Sequence, residues 1–120
     1  MATGDESLKD RLSRYREIKI TVTGRKSGRS ISVPVWFVAE KDDVYLLPVH
    51  GSETQWYKNV LKKPAMQIDA RGAEEELKAM PITDTKKVSD VVAKFREKYG
   101  AGDVKKYYSK FDVAVRLPMR

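Results

Sequence analysis

The chain has 120 residues, 41% hydrophobic and 34% charged, enough to bury one core without a metal or cross-link, and a single domain over 1–120 is predicted. With no cysteine and one histidine, disulfides and thiolate chemistry are excluded and no metal site is expected. The net charge of +7 calls for an anionic partner such as a phosphorylated small molecule, a lipid headgroup or nucleic acid.

No apolar run reaches the roughly 20 residues of a membrane span, and the start lacks the basic-then-apolar form of a signal peptide. A cytoplasmic home is therefore expected, with peripheral membrane contact compatible with the charge.

The first sixteen residues form an N-terminal segment in which Ser7 can cap a short helix over Leu8 to Tyr15. From there, 17–118 reads as one folded unit. Ile18-Lys19-Ile20-Thr21-Val22 alternates as a strand, and Ile31 to Phe37 is rich in β-branched and aromatic residues. Between them lies Gly24-Arg25-Lys26-Ser27-Gly28-Arg29, a hairpin turn with three cations, two glycines and a hydroxyl. Its successive N–H groups and cations suit an anion, and they equally suit a solvated basic hairpin. It is not a Walker A loop, because three residues separate its glycines and Arg29 follows the second.

Pro34 cannot donate to a ladder, so it marks an edge, a bulge or a place where a ligand lies against backbone. A third strand, Val44 to Val49, ends at His50-Gly51-Ser52. A short helix over Glu53 to Lys63 carries Trp56, Tyr57, Val60 and Leu61 at helical spacing, mostly as core. Met66 to Ala70 alternates as a fourth strand, and Glu75 to Ile82 reads as a fifth. Thr83-Asp84-Thr85 opens the clearest helix, with Val88, Val91, Val92, Phe95 and Tyr99 on one stripe and Gly100 closing it. Asp103 to Phe111 is a second helical stretch, and Asp112 to Leu117 a sixth strand. The sum is an α+β fold: a barrel or strongly bent sheet of about six mostly antiparallel strands, a short N-terminal helix, a mid-chain helix and a late helical pair.

Several motifs carry a resemblance in combination. Thr23-Gly24-Arg25-Lys26-Ser27-Gly28, then Pro34, then Val49-His50-Gly51, then Gln55-Trp56-Tyr57-Lys58-Asn59 are similar to elements of the deazaflavin-dependent nitroreductase and quinone reductase family. That resemblance spans about Ile18 to Arg116 and implies a split β-barrel binding coenzyme F420. It implies that Arg25, Lys26, Ser27 and Gly28 meet the cofactor's phosphate and nearby tail. Val33 and Pro34 would lie along the cofactor and Trp36 near its ring. Val49 and His50 would approach the ring edge, with Trp56 and Asn59 walling the far side. Two positions depart from the family: Ile31 stands where an arginine is common, with Arg29 as the substitute, and His50 stands for a lysine.

The implied activity is hydride transfer from the reduced deazaflavin to a small electron-poor acceptor such as a quinone, nitroaromatic or enone. The hydride comes from the cofactor, which fits the absence of a catalytic triad or carboxylate pair, and no protein residue is assigned as catalytic. Relatives place late tyrosines on the acceptor side. Tyr107 and Tyr108 are the candidates, only one of which a helix can direct inward, while Tyr99 reads as core. FMN is the alternative cofactor in the same fold. A barrel binding single-stranded nucleic acid is the rival of another class, disfavoured because the aromatics do not interleave with the basic hairpin. Monomer and homodimer both stay open.

Overall fold

Strict alternation makes the first strand. In β1 (Glu17–Thr23), Ile18, Ile20 and Val22 turn inward while Glu17 and Lys19 face out, so a single register buries every apolar side chain. The computed structural model describes residue 12 and residues 14–119. The helix expected over 8–15 falls mostly outside them, although Leu12 is buried in the core.

β1 pairs antiparallel with β2 (Ser30–Glu40), from Glu17↔Trp36 to Thr23↔Ser30. The turn between them closes through the Gly24 N–H on the Arg29 carbonyl at 2.8 Å and the Gly28 N–H on the Gly24 carbonyl at 2.9 Å. The two glycines serve differently. Gly28 sits at φ +74, a region that other residues rarely adopt. Gly24 sits in tight space: a Cβ there would lie 2.7 Å from Ser27 Oγ, so that hydroxyl would have to turn away.

The chain continues through β3 (Asp43–Leu46), a 3-10 turn at Gly51–Glu53, α1 (Gln55–Lys62), β4 (Ala65–Ala70), β5 (Ala73–Lys78), β6 (Met80–Ile82), α2 (Thr85–Tyr99), α3 (Ala101–Tyr107) and β7 (Ala114–Pro118). All strand pairings are antiparallel, in the order β5-β4-β1-β2-β3-β7-β6. Only Ala79 separates β5 from β6, so the two ends of the ladder meet and the sheet curls into a split β-barrel. The expected fifth strand over 75–82 is thus two strands, giving seven among the described residues. Ala79 turns its N–H to the Pro64 carbonyl at 2.8 Å, and the chain changes partner there from β4 to β7.

The barrel interior holds Ile20, Phe37, Leu46, Met66, Ile68 and Leu117, with Trp56, Tyr57 and Val60 of α1 plugging one side. Leu61, expected with them, is 55% exposed. A second core lies outside the barrel, where Val88, Val91, Val92 and Phe95 of α2 and Val104 of α3 cover Val38, Leu47 and Ala114. Burial of each valine, leucine, isoleucine, methionine or phenylalanine in these two cores stabilises the fold by roughly 1.5–3 kcal/mol. The Asp84 carboxylate accepts the Lys87 N–H at 3.0 Å to start α2, and Gly100 at φ +97 ends it. Among the described residues, no helix is long and apolar enough to cross a membrane.

Candidate functional site

The site grows from a change of partner along β2. Its first half, Ser30 to Trp36, pairs with β1 alone, and its second half, Phe37 to Glu40, pairs with β3. Among the described residues no strand therefore lies beside the far edge of the first half.

At the crossover stands Tyr99. Its hydroxyl accepts the Phe37 N–H at 3.1 Å and directs its proton to the Arg16 carbonyl at 2.6 Å and the Phe37 carbonyl at 2.8 Å. The phenol thus continues the ladder where β1 and β2 part. Burial pushes its pKa up to about 12, so it stays protonated across the neutral range. Lys98 also donates to the Phe37 carbonyl, at 2.8 Å, and lies over the Phe37 ring. Burial, with the nearby Arg16 charge, lowers the Lys98 pKa to about 8.

With the Phe37 N–H and carbonyl turned to the β1 side, antiparallel alternation turns those of Trp36 and Ser32, and the Pro34 carbonyl, to the open edge. Proline sits where its missing N–H faces no strand. Along this edge runs a pocket of about 420 Å³, lined by Glu17, Val33, Pro34, Val35, Trp36, Leu47, Val49, Thr54, Trp56, Tyr107 and Tyr108. Seven residues singled out from the sequence, from Val33 to Tyr108, meet here across strand, turn and two helices.

Trp36 is fixed on three sides. Its ring stacks on Tyr99 with centroids 4.3 Å apart and planes 6° from parallel, Tyr107 meets it edge-on at 5.5 Å, and Tyr108 lies at 6.0 Å. Both late tyrosines reach the pocket because α3 stops at Tyr107 and Tyr108 is already extended, at φ −111 and ψ 126. The divergence expected of helical neighbours does not apply. Tyr107 is half exposed and Tyr108 buried, with burial raising the Tyr108 pKa.

The basic hairpin does not line this pocket, yet it holds the same helix. Arg25 donates from Nη1 to Asn59 Oδ1 at 2.8 Å, from Nη2 to Gln55 Oε1 at 2.9 Å, and from its backbone N–H to Asn59 Oδ1 at 3.1 Å. Asn59 is buried by this contact rather than set in the pocket. The expected convergence of hairpin N–H groups is only partial. Those of Gly24 and Gly28 close the turn, Arg29's goes to Ser27 Oγ at 3.1 Å and Arg25's to Asn59. What the hairpin offers outward is charge: Lys26 and Arg29 are exposed, and among the described residues neither side chain has a partner.

His50 also lies off the pocket. Its Nδ1 is 2.8 Å from Ser109 Oγ, because a parallel bridge to Lys110 and the Ser109 N–H on the Val49 carbonyl draw this turn to the chain after α3. Thr54, which the sequence reading passed over, lines the pocket and accepts the His50 N–H at 2.8 Å. Its sequence signal is its place as N-cap of α1. A wider groove of about 980 Å³ lies between α2 and the β6–β7 flank. It holds none of the residues singled out from the sequence, and its wall carries the Glu40–Lys94 ion pair and Arg116, which pairs with Asp43. Among the described residues no cluster could hold a metal ion.

Solved structures share this fold. Rv2991 of Mycobacterium tuberculosis, a conserved hypothetical protein, is similar over 100% of this chain and 84% of its own, with a TM-score of 0.76 and 17% identity. HutZ, the heme storage protein of Vibrio cholerae, is similar over 93% and 87%, with a TM-score of 0.71 and 16% identity. The F420-H2 dependent reductase FDR-A is similar over 85% and 93%, with a TM-score of 0.66 and 18% identity. At such identities the likeness is one of fold. No curated protein matches the chain. Residues 9–115 match the family model described as "uncharacterized protein conserved in bacteria" (DUF2255), and the chain belongs to that family.

Proposed function

We propose that the chain is an oxidoreductase that binds a reduced deazaflavin, coenzyme F420, and delivers its hydride to a small electron-poor acceptor. The observation that carries this reading is the aromatic pocket on the unpaired edge of β2, with a cationic hairpin anchored to the helix that supplies Trp56. A flat heterocycle suits such an edge, because Trp36, Pro34 and Ser32 present main-chain donors and acceptors to its rim while Trp36 and Trp56 contact it. The bound deazaflavin would supply the hydride itself.

The chain's residues would then bind, orient and exclude water. Lys26 and Arg29, with the outward side of Arg25, suit a phosphodiester and a polycarboxylate tail. Val33, Val35, Leu47 and Val49 give the ring an apolar bed. Tyr107 and Tyr108 stand as donors toward an acceptor's oxygen. Heme suits the pocket less well, since the chain's single histidine is turned to Ser109.

Titration of the purified protein with F420 and with FMN, followed by quenching of tryptophan emission, tests the reading. Binding of F420 in the micromolar range and oxidation of its reduced form on adding a naphthoquinone are expected. FMN binding without F420 binding would move the reaction to the flavin, and binding of neither at about 100 µM would end the proposal.

A further inference from the structure

An N-cap threonine ordinarily turns its oxygen back on the first amides of its own helix. Thr54 does not: α1 has no side-chain cap, although Thr54 occupies the capping position with extended backbone. Its oxygen instead accepts the His50 N–H at 2.8 Å. A hydroxyl has one proton to give, and no acceptor within the described residues takes it. The residue is 8% exposed and lines the pocket, so the pocket is where an acceptor for that proton can be met. Thr54 is followed directly by the first turn of α1, which has no side-chain cap and carries the positive end of the helix dipole. Among the described residues lining the pocket, Glu17 alone is charged, and it stands on the strand side opposite Trp36.

From this geometry we infer that Thr54 and the first turn of α1 form a donor site for one oxygen of the bound molecule, a ring or quinone carbonyl that gains negative charge. The inference deepens the proposed function and rests on it for what enters the pocket. Its chemistry is that of an oxyanion hole, in which fixed donors stabilise charge as it develops. Thr54 is then a specificity-determining residue: it favours molecules with an oxygen at that end and disfavours hydrocarbons of the same outline.

The test uses lawsone, a hydroxynaphthoquinone that is an anion at neutral pH, and naphthalene, the same ring system without oxygens. Both are titrated against tryptophan emission of the full chain. Thr54→Val should weaken lawsone binding by about tenfold or more, Thr54→Ser should stay within about twofold, and naphthalene binding should be alike in all three proteins. Equal lawsone affinity in the valine variant, or no lawsone binding by the parent, overturns the site. Should the valine variant fold poorly, isotope-edited infrared spectra of carbonyl-labelled lawsone on the parent decide the matter. A carbonyl band at or below its position in water is expected, and a band at its hydrocarbon-solvent position overturns the inference. F420 arms locate the oxygen: a raised Kd for F420 in Thr54→Val assigns it to the cofactor ring, and an unchanged Kd with lower kcat/KM for a quinone assigns it to the acceptor. Failure of F420 to bind would remove the proposed function and leave the lawsone result standing.

Discussion

Arg25 and Lys26 are neighbours in one basic turn, and they should respond differently to truncation. Lys26 is exposed without a partner among the described residues, so Lys26→Ala should change stability by no more than about 0.5 kcal/mol. Arg25 is tied to α1 through Asn59, which is 4% exposed. Arg25→Ala removes the 2.8 Å charged bond to Oδ1 and the 2.9 Å bond to exposed Gln55, but keeps the 3.1 Å backbone bond to the same oxygen. A charged bond to a buried amide contributes about 1.5–3 kcal/mol; with one donor retained, the net loss should be about 1–2 kcal/mol. Urea unfolding followed by tryptophan emission should move the Arg25→Ala midpoint down by roughly 0.5–1 M and leave the Lys26→Ala midpoint in place. A double-mutant cycle with Asn59→Ala should return a coupling near 1 kcal/mol. Equal midpoints for the two single variants, or no coupling, would refute the clamp. Both variants should weaken F420 binding, so only stability separates them.

Tyr99→Phe removes a buried hydroxyl that serves three main-chain atoms, and it should cost about 2–4 kcal/mol in urea unfolding, since the Phe37 N–H is left without an acceptor. Lys98 has its folded pKa lowered to about 8 from 10.5, so the unfolded chain holds the extra proton between these values and stability should rise with pH across that window. Because the residue is only partly buried, the rise should be on the order of 1 kcal/mol; Lys98→Met should flatten it when midpoints are compared from pH 7 to pH 9, below the usual tyrosine range. Tyr107→Phe and Tyr108→Phe should each alter kcat/KM for a quinone with little change in F420 affinity, as both phenols line the pocket. If neither variant differs from the parent with several acceptors, the phenols are packing groups.

Much of the frame was legible because its signals are local. The alternation of Ile18, Ile20 and Val22 and the stripe from Val88 to Tyr99 ending at Gly100 each declare an element within one stretch of chain. The split of residues 75–82 was not legible, since Ala79 fits a strand equally well in either half. What breaks the strand is a bond to the Pro64 carbonyl, which depends on where α1 leaves the chain. Tyr99 read correctly as a core residue on its helix stripe. Its hydroxyl contacts lie 62 and 83 residues away, and no periodicity reports them. Thr54 was hidden differently: a threonine before a helix looks like a cap, and only the His50 N–H diverts it.

These hidden features share one origin. β2 carries a continuous apolar run, and such a run says nothing about which neighbour each half will find. When the strand exchanges β1 for β3 between Trp36 and Phe37, one edge loses its partner, and buried main-chain groups at the junction need another. Tyr99 supplies that partner from α2 and, through its ring, sets the plane of Trp36 at the edge just exposed. A residue that reads as packing is thus the one that shapes the pocket wall. Pro34 was the sole trace of this arrangement in the sequence, since a residue without an N–H is tolerated where no strand asks for one. The prediction for Tyr99→Phe therefore reaches beyond stability. Loss of the hydroxyl should loosen Trp36 and raise the Kd of any planar ligand in the pocket, whereas a Val88→Ala variant, buried in the same core but not lining the pocket, should lower stability and leave that Kd nearly unchanged. Parallel changes in both variants would mean that Tyr99 acts on the pocket only through the stability of the fold.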